Sequence, residues 1–91
     1  MALTHGMNVA AVRASMKKID SYASQLDTLK NQLNTEISNL LSIWSGQDAN
    51  KFVNSDWPPH KNNMTSLAQA LRSLSTVGQQ QANEQENTSS R

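Results

Sequence analysis

A chain of 91 residues, 36% of them hydrophobic and none of them cysteine, reads as one domain that buries little core by itself. The missing cysteines exclude disulfides and thiolate metal sites, so a second chain is the stabiliser left for so small a fold. Eight Lys and Arg are scattered against seven Asp and Glu for a net charge of +1, which argues against a nucleic-acid partner; Arg13, Lys17 and Lys18 gather on one side of a helix and read as a solvated face.

In chain order, Met1 to Met7 contains no basic residue and no apolar run, so it is not expected to act as a signal peptide. No later stretch approaches the roughly 18 apolar residues of a membrane helix, so no stable membrane insertion is expected. The informative pattern starts at Val9. Steps of three and four residues reach Val12, Met16, Ile19, Ala23, Leu26, Lys30, Leu33, Ile37, Leu40 and Trp44. Lys30 is the one polar residue in that seam, and neither glycine nor proline interrupts it between Met7 and Ser45. Such spacing predicts a long helix over about 8–43, with Asn8 capping its first turn and Met7 stapling onto Val12. Tyr22, Leu29 and Ile43, one position before the seam residues, and Leu41, one after, widen the apolar stripe beyond what one neighbouring helix needs. The helix is therefore expected to meet both its own second helix and another chain.

The run stops at Trp44-Ser45-Gly46, where Gly46 suits the left-handed residue that ends a helix. A second seam follows through Val53, Trp57, His60, Met64, Leu67, Leu71, Leu74 and Gly78, with Phe52, Ala70 and Val77 beside it. The turn, residues 44–46, is short enough to force an antiparallel hairpin, with helix 2 over about 47–82. Pro58-Pro59 removes two N–H donors, which predicts a kink, or a helix that restarts with proline in its first turn. The stretch 83–91 holds no large apolar residue and is expected to be a disordered polar tail beyond the hairpin domain, residues 1–82.

Nothing in this inventory assembles into a catalytic site. His60 follows Asp56 by four residues, but neither a nucleophile nor an oxyanion donor accompanies the pair, and His5 is far away in sequence. There is no His-Glu-x-x-His, no clustered carboxylate set and no glycine-rich phosphate loop among three glycines. No enzyme activity, metal or cofactor is expected. Met7, Met16 and Met64 read as core filler. Trp57 reads as core with an indole N–H that needs a partner. The hairpin core and dimer interface are expected to draw on Leu26, Leu29, Leu33, Ile37, Leu40, Trp57, Met64, Leu67 and Leu71.

Trp44-Ser45-Gly46 lies near the middle of the chain, between two amphipathic helices. Asp48-Ala49, Phe52, Asp56-Trp57 and His60 follow it, and Gly6-Met7-Asn8-Val9 with Val12-Arg13 precedes the first helix. In these features the chain resembles the WXG family, the small early-secreted-antigen-like proteins of type VII secretion, over roughly residues 6 to 88. The resemblance implies an all-α hairpin that pairs into a four-helix bundle, as a homodimer or as a heterodimer with another WXG-type protein. It implies signal-peptide-independent secretion from the cytoplasm, as a substrate or as the dimer partner of one. Trp44 and Gly46 map onto the turn that, with a C-terminal Tyr-x-x-x-Asp/Glu element of the partner, meets the secretion ATPase. This sequence departs there, since its single tyrosine is Tyr22. The alternative is an intracellular adaptor or chaperone-like partner for a larger secreted toxin.

Overall fold

Asn8 begins the first helix as its sequence suggests: its Oδ1 accepts a hydrogen bond from the Ala11 N–H at 3.0 Å, satisfying one of the free donors of the first turn. In the computed structural model, which describes residues 7–89, helix α1 then runs unbroken over Val9–Asn39. It tightens into one 3-10 turn, Leu40–Ser42. There the Leu40 carbonyl accepts from both the Ile43 and the Trp44 N–H, at 3.0 and 2.7 Å, and the Ser42 hydroxyl donates to the Asn39 carbonyl at 2.6 Å. The chain reverses at residues 43–46 and enters α2, Gln47–Lys51, followed by a π turn, Phe52–Asp56, and the long α3, Trp57–Ser89. All described elements are helical, and together they make a rod 67 Å long and 16 Å across its Cα atoms.

The prolines account for the π turn. Pro58 and Pro59 supply no N–H to the carbonyls four residues back, and their rings crowd that turn. The chain widens just ahead of them, so that the Trp57 N–H reaches five residues back to the Phe52 carbonyl. A π turn absorbs such a local misfit without ending the helix. The proline break is thus taken up upstream, and α3 restarts with both prolines in its first turn, where missing donors cost least.

Packing follows a heptad, but on α3 its line is shifted from the one the large residues suggest. Residues at the centre of the α1–α3 contact are small: Ala23, Ala68, Ser75 and Ala82 are fully buried. The observed α3 seam is Trp57, Lys61, Met64, Ala68, Leu71, Ser75, Gly78 and Ala82, so His60, Leu67 and Leu74 do not lie in it and are exposed. The reason is the closeness of the backbones. The Ser75 hydroxyl reaches across to donate to the Met16 carbonyl at 3.1 Å. A Cβ on Gly78 would collide with the Met16 sulfur and sit 2.7 Å from its Cγ. Leucine in place of Ala68, Ser75 or Ala82 would force the helices apart.

A ladder of polar pairs runs along one flank of the seam. From Arg13 to Asp27, each step of seven residues along α1 is matched by a step of seven back along α3. Arg13 forks onto both Glu86 oxygens at 3.0 Å and donates to Asn83 at 2.6 Å. Gln79 donates to Asp20 at 3.5 Å, and Arg72 donates to Asp27 at 2.7 Å. Lys30, the polar seam residue, donates to Thr65 at 3.0 Å and lies 3.6 Å from Asp27, so it ties the register of the two helices. Asn34 closes the ladder near the tip, accepting from the buried Trp57 indole at 3.0 Å and from Lys61 at 3.5 Å. The expected disordered tail over 83–91 is corrected as far as it is described. Buried Ala82 and the Arg13 fork hold α3 against α1, and the helix continues to Ser89.

Two expectations follow. Ala68→Leu or Ser75→Leu should destabilise the hairpin by about 1–3 kcal/mol through overpacking; chemical denaturation followed by circular dichroism measures it, and an unchanged midpoint would contradict the close approach described here. The second concerns acid. The Arg72 hydrogen bond, reinforced by the Arg72 and Lys30 charges, holds the Asp27 carboxyl below its usual value. The Arg13 hydrogen bond and charge do the same for Glu86. Depressed carboxyl pKa values stabilise the fold fully above the ordinary range, near about pH 4, and that contribution is lost as pH falls through the lowered values. Asp27→Asn should therefore melt below the wild type at pH 7, and the two should converge in strong acid.

Candidate functional site: an apolar flank and an aromatic tip

The side of the seam opposite the polar ladder carries large apolar residues that the hairpin does not cover. Tyr22 and Leu29 stand one position before the seam residues Ala23 and Lys30 of α1. Leu67 and Leu74 stand one position before Ala68 and Ser75 of α3. In an antiparallel helix pair these positions share one flank. The register set by the ladder places Tyr22 level with Leu74 and Leu29 level with Leu67. These two rungs are one heptad apart, about 10 Å along the rod. All four side chains are about half exposed, at 57% and 51% for the first rung and 49% and 52% for the second. A Ser15–Gln81 rung bounds the block on one side and a Glu36–His60 rung on the other, all four residues exposed.

The second feature is the tip. Gly46 has φ +112° and ψ −179°, a region that is essentially open to glycine alone. It is therefore not a left-handed cap of α1 but the residue that launches α2; its carbonyl accepts from the Asn50 backbone and side-chain amides, both at 3.1 Å. Space is not the constraint, since a Cβ there would meet nothing within 4 Å. The backbone angle is. The reversal brings Trp44 and Phe52 together, with ring centroids 6.0 Å apart at 46°, within the range of a favourable tilted pair. Ile43, Trp44 and Phe52 all remain exposed.

The residues expected to form the core and interface separate into two groups. Leu26, Leu33, Ile37, Leu40, Met64 and Leu71 are half-buried in the hairpin seam, and Trp57 is buried in it. Leu29 and Leu67 stand outside it, on the flank. Ala68, Ser75 and Ala82 went unnoticed in the sequence, although small residues recurring every seven positions are a signal of close helix packing. Phe52 was legible only as part of a wide stripe, because its pairing with Trp44 depends on the turn. Asp56 and His60 are not held together as a pair: the Asp56 carboxylate takes the Lys51 ammonium at 3.0 and 3.3 Å. Among the described residues no three His, Asp or Glu side chains gather into a metal-binding group. No described helix is long and apolar enough to cross a membrane.

The described residues thus leave two apolar surfaces exposed on a rod, one flank and one aromatic tip. A family model described as proteins of 100 residues with WXG, WXG100, matches residues 6–89. No curated protein and no solved structure matches the chain. The match spans nearly the whole sequence and contains both helices and the Trp44-Ser45-Gly46 turn. The chain belongs to the WXG100 family, small helical proteins of type VII secretion systems.

Proposed function

We propose that the hairpin works by contact rather than catalysis. It pairs through its apolar flank with a second WXG-type hairpin in a four-helix bundle, and a type VII system exports the bundle from the cytoplasm. The observation that carries this reading is the pair of exposed rungs, Tyr22–Leu74 and Leu29–Leu67. Half-exposed apolar rungs on a rod whose own buried core is mostly small residues are what a helix pair presents to a further helix pair. The tip supplies the second surface. Trp44 and Phe52 project from a turn that Gly46 alone permits, at one end of the rod and clear of the flank. In this reading the secretion ATPase engages Trp44 and Gly46. The partner contributes the tyrosine element, and Tyr22 belongs to the flank. That placement also favours a second reading, in which the hairpin remains inside the cell as an adaptor for a larger toxin.

Leu29→Asp together with Leu67→Asp should weaken association more than tenfold, since a carboxylate buried without a partner is costly. Analytical ultracentrifugation in the presence of the partner reads the change, and unaltered association would remove the flank from the interface. Trp44→Ala should lower the amount in the culture supernatant severalfold while shifting the melting midpoint little, because Trp44 is half exposed. Export that survives the substitution intact would contradict the tip's role. Retention of the intact dimer in the cytoplasm by the wild type would select the adaptor reading.

A further inference from the structure

We infer that Met16 is an oxidation site that governs the open end of the hairpin: a peroxide that converts its thioether to the sulfoxide releases the last turns of α3 from α1. The inference is independent of the export reading above. Its ground is the way the helices meet between Met16 and the open end. Val9, Val12 and Met16 form the α1 side of the seam there, all half-buried, and Met16 is the largest of them. Opposite them α3 sets Gly78, Ala82 and the polar Gln85, with no large apolar side chain. The Met16 thioether lies over Gly78 in the space that a Cβ would fill, its sulfur, Cγ and Cε all close to that point. The backbone of the same residue is tied to α3. The Met16 carbonyl accepts from the buried Ser75 hydroxyl at 3.1 Å, and that hydroxyl accepts from the Gln79 amide at 2.8 Å. Further out, Arg13 joins Asn83 and Glu86, and pairs this exposed contribute little.

The chemistry needs a two-electron oxidant such as hydrogen peroxide and nothing else. A sulfur lone pair attacks one peroxide oxygen, and the S–O bond forms as the O–O bond breaks. The departing hydroxide takes the proton of the transferred oxygen and leaves as water, so sulfur is oxidised by two electrons and the peroxide reduced by the same two. Met16 is half-buried and not sealed, which leaves its sulfur within reach of so small a reagent. The product is polar and chiral where the thioether was apolar and flexible. The N–H groups of α3 beside it are engaged within the helix, so a sulfoxide kept over Gly78 finds no backbone donor and is costly. One that turns out to water empties the contact. Both routes remove the packing over Gly78, where α3 is intrinsically weak, because glycine inside a helix is less favourable than alanine.

The test treats the full chain with dilute hydrogen peroxide and locates the added oxygen by mass spectrometry. Met16 should be converted, and the melting midpoint should fall by about 5 °C. Hydrogen exchange should quicken over residues 9–16 and 78–89, while the tip, Trp57 included, keeps its protection. A methionine sulfoxide reductase should return the midpoint to its starting value. Met16→Leu is close in volume and leaves Met1, Met7 and Met64 in place. This variant should hold its midpoint and its exchange pattern through the same treatment. A Met16 that stays unoxidised while Met7 is converted would overturn the access to its sulfur. A Met16 sulfoxide that melts and exchanges like the untreated chain would overturn the release, as would a Met16→Leu variant that loses as much on treatment as the wild type. Exchange that quickens equally at the tip would overturn its confinement to the open end.

Discussion

The close approach of α1 and α3 along a line of small residues sets every other feature of this hairpin. With Ala23, Ala68, Ser75 and Ala82 fully buried at the contact, the helices come near enough for Ser75 to bond a backbone carbonyl of α1. The same closeness leaves no room for leucine at those four positions. The large apolar residues that share the seam with them are half-buried, apart from buried Trp57, and those one position further out are exposed. Surface that a wider hairpin would keep to itself is therefore presented outward. The exposed apolar flank is a consequence of the packing inside one chain.

The two flanks divide the work. Charged and amide groups on one side act within the chain and fix how the helices slide against each other. Apolar groups on the other face outward. Individually the polar contacts contribute little, since exposed pairs are worth less than about 1 kcal/mol. Spaced at heptads, they define one alignment, and that alignment sets Tyr22 level with Leu74 and Leu29 level with Leu67. The polar side thereby determines the shape of the apolar side without touching it.

Much of this was legible in the sequence, and the failures have physical causes. Asn8 as cap, the unbroken first helix, the antiparallel reversal at Trp44-Ser45-Gly46 and the need of Trp57 for a polar partner all follow from local rules that tertiary structure did not override. Lys30 was legible as the one polar residue of the seam, while its contact with Thr65 was not. The α3 seam was not. Reading by hydrophobicity favours Leu67 and Leu74 over Ala68 and Ser75, yet the contact line belongs to the residues that allow the nearest approach. The far end of α3 was misjudged for a related reason. Its residues bury almost nothing, and what holds them is Arg13, seventy-three positions away from Glu86. Composition within the segment cannot show an ion pair of that span. Gly46 was expected to be special, but whether it closes one helix or opens the next depends on a ψ angle that no residue type dictates.

The order of charges on the polar ladder also bears on the alignments the hairpin does not adopt. Heptad seams tolerate slippage, because shifting one helix by seven residues returns similar residue types to the contact. Here the shift that draws Glu86 down to the level of Asp20 sets two carboxylates against each other and leaves Arg13 without its fork. The opposite shift retains an Arg72–Asp20 pair, but it moves Arg13 onto Gln79 and Asp27 onto Thr65, so the two ion pairs between the helices, Arg13–Glu86 and Arg72–Asp27, are reduced to one. The short reversal at Gly46 resists either movement further, since it has no slack to take up a heptad. A chain closing from its tip thus meets a penalty at each wrong setting and finds all its pairings satisfied at one.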